Sequence, residues 1–225
     1  MEDKLKDIGS IIRRAEETLQ TAKHGYDDLI GKDKNHRFSG LRNLIVFGRS
    51  VTWVLQNLRS VIKEEFDSWY EPLQEKMRND PLMRYFVSAR NELEKHGKLR
   101  VSTSAMIRSF SSADILKFGP PPPGAKAFFI GDQLGGTGWE IEMPDGTMEK
   151  FYVELPSEIG EVKQHFMNFP EAEAPELKSK SVEELCDIYL SRLEMLLYGA
   201  REKFLGQTTQ RVKGKRLPSY LKIIK

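Results

Sequence analysis

Leu5, Ile8, Ile12, Ala15, Leu19, Ala22, Tyr26 and Leu29 recur at alternating steps of three and four. Only a helix brings such positions onto one face, so the spacing predicts a long amphipathic helix whose seam must be covered. A seam of this length suits another long helix, either from the same bundle or from a second copy of the chain. Gly31 and the polar run from Lys32 to His36 then interrupt it.

The same period returns in Leu41, Leu44, Gly48, Val51, Leu55, Leu58 and Ile62, which predicts a second helix over 39–65. Ile45, Phe47, Trp53 and Val54 widen its apolar stripe, as expected of a central, buried helix. Its polar line, Arg42, Arg49, Gln56 and Lys63 at intervals of seven, reads either as a solvated stripe or as part of a basic groove. Phe66, Trp69, Tyr70, Leu73 and Met77 make a third helix. Asp80-Pro81 then restarts the chain, because Asp80 can accept from free amides and Pro81 suits the first helical position. This fourth helix buries Leu82, Phe86, Ala89 and Leu93 and ends at Gly97, a residue fitted to a left-handed cap.

From Val101 the helical period is lost, and Pro120 to Pro123 form a stiff connector between Gly119 and Gly124. Segments 127–130, 139–143 and 151–155 read as strands, joined by a loose turn at Gly135 to Gly138 and a tight one at Asp145-Gly146. The stretch from Phe166 to Lys180 reads as a surface loop. Ser181 and Glu184 then form a capping box that opens a last helix carrying Val182, Leu185, Cys186, Tyr189, Leu193, Leu196 and Leu197. The expected architecture is mainly α, an antiparallel helical bundle with a small antiparallel β-meander inserted before the last long helix, α+β overall. Its parts are a bundle over 1–100, an inserted sheet and loops over 101–180, the returning helix over 181–206 and a basic tail over 207–225.

A chain of 225 residues with 39% hydrophobic content can build its own core. One cysteine, Cys186, permits no internal disulfide and suits a reducing, cytoplasmic setting. No run approaches the ~18 apolar residues of a membrane span, and the charged N-terminus is unlike a secretory leader. The net charge of +2 conceals a C-terminal segment with Lys203, Arg211, Lys213, Lys215, Arg216, Lys222 and Lys225 and no acid after Glu202. Such a segment is either a solvated end or an attractor of polyanions.

Paired cysteines, a zinc-protease HExxH, a phosphate loop with its lysine and a nucleophile elbow are all absent from the sequence. Gly135 to Gly138 joins two strands where a phosphate loop must open a helix, so it reads as a hairpin. Cys186 lies on an apolar stripe and reads as core. His24, His36 and His165 lack neighbours at ligand spacing. Neither a metal nor a cofactor is expected.

The run Arg90-Asn91-Glu92-Leu93-Glu94-Lys95-His96 is the one group suited to chemistry. Arginine offers a phosphate a permanent charge and a fork of donors, and can stabilise charge that builds on the non-bridging oxygens. Histidine titrates near neutrality and can take a proton from a ribose 2′-hydroxyl or give one to the leaving 5′-oxygen. Asparagine can orient either. Arg90 and His96 are six residues apart, about 120° around a helix and two turns along it, so a single helix places them poorly. Two copies about a two-fold axis could bring both pairs to one cleft. The structural alternative is that Arg90 pairs with a nearby acid while His96 is an ordinary residue favoured at a helix C-terminus.

RNELEKH near the end of a bundle helix resembles the motif of the HEPN superfamily, an arginine and a polar residue followed by a histidine after a short gap. The resemblance covers residues 1–100 and the last helix but not the sheet. It implies a homodimeric helical protein that binds RNA or acts as a metal-independent endoribonuclease, in settings such as toxin–antitoxin or phage-defence systems. Arg90 and His96 would then be catalytic, with Asn91 as the polar helper. Lys98 stands where some toxin members carry a tyrosine two positions after the histidine. The competing expectation is a non-enzymatic dimeric interaction or ligand-binding protein, with an exposed apolar patch or sheet edge near Phe128, Trp139 and Phe151.

Overall fold

A computed structural model describes residues 2–207; the basic tail expected over 207–225 lies, from residue 208 on, outside the described residues. The seam of the first segment becomes α1 (Glu2–Ile30), and α2 (Arg37–Leu55) returns along it antiparallel. From Ile8 onward the seam therefore finds its cover within the chain, whereas Leu5 stays exposed. The two helices touch backbone to backbone where Gly25 meets Gly40: a Cβ added at Gly25 would stand 2.5 Å from the Gly40 carbonyl oxygen, and one at Gly40 2.6 Å from that of Gly25.

Helix α2 ends earlier than its apolar period suggests. Residues Gln56–Leu58 form a 3-10 turn, and α3 (Arg59–Asn79) is kinked at Ile62, with φ −140° and ψ 53°. Polar side chains account for part of the break. Gln56 donates to the Thr52 carbonyl at 2.9 Å, Asn57 to that of Val54 at 3.0 Å and Ser60 to that of Asn57 at 2.7 Å. Such local bonds compete with the helical ladder. The kink lets α3 carry Phe66 and Trp69 against Phe204.

Helix α4 (Pro81–His96) starts and stops as its caps require. The Asp80 carboxylate accepts from the amides of Leu82 at 2.9 Å and Met83 at 3.1 Å, and Gly97 adopts φ 63°. The last helix, α5 (Val182–Leu205), opens on the Ser181–Glu184 capping box and runs antiparallel to α1 and α4. Lys23–Glu194 and Arg201–Glu16 fix it to α1, and Asp80–Arg192 together with the stacked Phe86–Tyr189 pair fix it to α4.

Between α4 and α5 the chain leaves and re-enters through an antiparallel ribbon of β1 (Val101–Ile107) and β5 (Gly160–Phe166), with Val101 opposite Phe166 and Ile107 opposite Gly160. The sequence pattern does not foretell this ribbon, because β5 turns Val162, Gln164 and Phe166 one way and its central inward residue is polar. The ribbon carries a three-stranded meander of β2 (Ala125–Ile130), β3 (Thr137–Glu142) and β4 (Met148–Val153), in that spatial order. Phe128, Trp139 and Phe151 are cross-strand neighbours, but Trp139 is only 7% exposed, so the open apolar part of the trio is Phe151.

The connection after β5 is more than a surface loop, since Phe166, Ala174 and Leu177 join the bundle core. A buried polar knot ties insertion to bundle. Arg37, 4% exposed, donates to the Leu29 carbonyl at 2.7 Å, to Gln164 Oε1 at 2.6 Å and to the Glu183 carboxylate. Gln164 in turn donates to Thr103 Oγ1 and to the Gln133 carbonyl. Every partner of the buried guanidinium is thereby a hydrogen-bond acceptor, as a buried charge demands.

Candidate functional site

Helices α2 and α4 run antiparallel on one face of the bundle, and the motif residues lie along that line. Leu82, Phe86 and Leu93 turn inward and are buried, which leaves the flank of α4 with Arg90 partly covered and Asn91, Glu94 and His96 exposed. Opposite, α2 contributes Arg42, Arg49 and Trp53. The Arg42 guanidinium reaches the Gly97 carbonyl at 3.4 Å, beside His96. Two turns further on, the Trp53 ring takes two guanidinium carbons, that of Arg49 at 4.9 Å and that of Arg90 at 4.4 Å from its centroid.

Trp53 is 42% exposed and Phe47 is also open, which corrects the expectation that α2 is buried on most sides. The polar line of α2 is uneven in its surroundings. Arg42 is exposed and reaches the end of α4, Arg49 is partly buried and held within α2 by Trp53 and Thr52, Gln56 falls in the 3-10 turn and Lys63 is exposed.

Arg90 and Asn91 are brought together, with Arg90 Nη1 donating to Asn91 Oδ1 at 3.3 Å. Arg90 also pairs with Glu94 at 2.6 Å, while its Nε is buried with no hydrogen-bond partner among the described residues. A buried donor left unpaired costs about 1–3 kcal/mol, which marks a guanidinium whose donors are not all spent inside the chain. His96 makes no hydrogen bond or ion pair among the described residues. It follows Arg90 by six helical positions, about 9 Å along the axis, so one chain does not bring the two to a common point. Asn91 serves Arg90 but not His96.

The arginines of α2 and Trp53 were absent from the motif, although their spacing could have shown them. Arg42 and Arg49 are seven apart, and Arg49 and Trp53 four apart, so all three share one side of α2. What no sequence period shows is that this side meets α4.

The remaining candidates are quiet. Cys186 is fully buried, and burial pushes its thiol well above the usual range, which leaves it inert. His24 contacts Gln20, His36 approaches Asp33 at 3.4 Å and His165 contacts Ser104, all at the surface. The Gly135 to Gly138 turn is built around Asp132, which accepts from the amides of Leu134 and Gly136 and from Lys150 and Tyr152. The Gly136 amide is committed to that carboxylate and the Gly135 amide to the Asp132 backbone carbonyl. Among the described residues, no group of three or more His, Cys, Asp and Glu side chains is placed to hold a metal ion, and no helix is long and apolar enough to cross a membrane.

Residues 13–124 match the family model described as bacteriophage lambda protein ea47. No curated protein and no solved structure matches the chain. The matched stretch contains all of α2 and α4, and so every residue of the line from Arg42 to His96.

Proposed function

We propose that the chain binds RNA along the α2–α4 face and, as a homodimer, cleaves it without a metal in the manner of HEPN-like endoribonucleases. The observation that carries the reading is the pair of guanidiniums, Arg49 and Arg90, gathered on the exposed Trp53 ring at the face where His96 lies. Cation–π contacts hold the planar forks in place without neutralising them, which suits the capture of phosphate. The Arg90–Glu94 pair is partly exposed, so a phosphate can displace the carboxylate at little cost.

In this reading, His96 from one copy removes the 2′-hydroxyl proton as that oxygen attacks the adjacent phosphorus. The 5′-oxygen departs with a proton taken from water, leaving a 2′,3′-cyclic phosphate and a 5′-hydroxyl, so one arginine and one histidine suffice for each cleavage. Arg90 stabilises the negative charge on the non-bridging oxygens, and Asn91 orients Arg90. RNA carries its own nucleophile, so the protein's part is proton transfer and charge. The cytoplasm fits such a substrate, and the name of the matched family, that of a bacteriophage protein, suits a phage or phage-defence setting.

The test is cleavage of a single-stranded RNA in excess EDTA. Arg90→Ala and His96→Ala should each lower the rate at least 100-fold with unchanged circular dichroism. Unchanged cleavage in both would remove the assignment. A non-enzymatic dimerising protein is the second reading, favoured by the exposed Trp53 and Val87 on this face and by Phe47 elsewhere on α2; it expects dimerisation and no turnover.

A further inference from the structure

A separate open cavity of about 470 Å³ lies where α2, α3, α4 and α5 meet. Arg49, Arg78 and Arg84 line it, and no carboxylate does among the described residues. With three arginines and no acid in its wall, the cavity carries positive charge, although that of Arg84 is offset by Glu173 outside it. Arg49 has no carboxylate partner among the described residues. Arg78 approaches Glu75 only at 4.0 Å, and Arg84 pairs with Glu173 at the surface.

The cavity also holds an unspent hydroxyl. Tyr189 lines it and is 2% exposed, yet its hydroxyl makes no hydrogen bond among the described residues. Its ring is fixed by stacking on Phe86, with centroids 3.9 Å apart and planes within 4°. Met77, Met83 and Val87 supply an apolar wall. The adjacent Tyr70 phenol is pushed up by burial, against the opposing fields of Arg49, Arg59 and Arg78.

We propose that this cavity is a binding site for a small organic phosphomonoester, its phosphate held by Arg49 and Arg78 with the Tyr189 hydroxyl, and its apolar body lying on Met77, Met83 and Val87. The phosphate carries up to two negative charges near neutrality and three acceptor oxygens, which suits two guanidinium forks together with a hydroxyl donor. The size falls within the range of small-molecule pockets. Arg49 is shared with the RNA-binding face, but the site requires neither cleavage nor a second copy.

The experiment is a thermal and calorimetric titration of the full chain with three probes: phenyl phosphate, inorganic phosphate, and potassium chloride at matched ionic strength. Phenyl phosphate at millimolar concentration should raise Tm by a few degrees, more than inorganic phosphate does, and potassium chloride should do neither. Arg78→Gln and Tyr189→Phe should each weaken phenyl phosphate at least fivefold while leaving the ligand-free Tm within about 2 °C. No binding of phenyl phosphate, a response matched by potassium chloride or by inorganic phosphate, or undiminished affinity in either variant would overturn the proposal. RNA cleavage by Arg78→Gln, measured alongside, separates this site from the RNA reading, because that variant should cleave at the wild-type rate whatever the titrations show.

Discussion

At the scale of single residues, the decisive contacts are those that hold charge in place. Trp53 restrains Arg49 and Arg90 together, and each such contact is worth about 0.5–1 kcal/mol at an exposed site. Trp53→Ala should therefore weaken single-stranded RNA roughly tenfold in a filter-binding assay. Glu94→Gln should strengthen it a few-fold, because the Arg90 guanidinium then has no carboxylate to shed. RNA affinity that rose in the first variant and fell in the second would reverse the roles assigned to these side chains. A second residue-scale prediction concerns acid. Burial disfavours the Glu183 carboxylate, but the Arg37 charge and hydrogen bond outweigh it, so its folded pKa lies below the usual carboxylate range. A depressed folded pKa contributes stability that is present above the unfolded pKa and lost as pH falls through the folded one. Unfolding by urea at pH 7 and below pH 4 should show Glu183→Gln destabilised relative to wild type only at the higher pH.

The elements explain how much the sequence discloses. The caps of α4 and α5 were legible because Asp80, Pro81, Gly97, Ser181 and Glu184 act on backbone only a few residues away. The meander followed from its turns, Asp145-Gly146 among them, where Asp145 accepts from the Thr147 amide and hydroxyl. The β1–β5 ribbon was hidden because its pairing joins residues some sixty positions apart and its inward side chain, Gln164, is polar. The kink at Ile62 was hidden because the apolar period runs straight through it. Of the site, Arg90, Asn91 and His96 could be picked out as a run, whereas Arg42, Arg49 and Trp53 acquire meaning only from the α2–α4 contact. The closest element contact also yields a test. At Gly40 a methyl group would stand 2.6 Å from both the Gly25 carbonyl oxygen and Asp28 Cβ, so the two helices must part. Gly40→Ala should cost about 2 kcal/mol despite its better helix propensity, measured by chemical denaturation. A neutral or stabilising change would show that the α1–α2 crossing is looser than described.

For the whole molecule, the bundle supplies a face, and the ribbon that carries the meander is tied to the bundle by the polar knot at Arg37 and Gln164 and by Phe166 in the core. One chain holds Arg90 and His96 on the same helix without bringing them together, so the proposed chemistry belongs to a pair of chains. Mixing inactive variants tests that claim directly. Arg90→Ala and His96→Ala are each purified, combined in equal amounts, allowed to exchange subunits, and assayed on single-stranded RNA in EDTA. The account predicts that neither variant cleaves alone and that the mixture recovers a measurable fraction of wild-type activity, because the mixed dimer holds one intact arginine and one intact histidine in its cleft. A wild-type protein that does not cleave RNA, or a mixture that exchanges subunits and stays inactive, would contradict it.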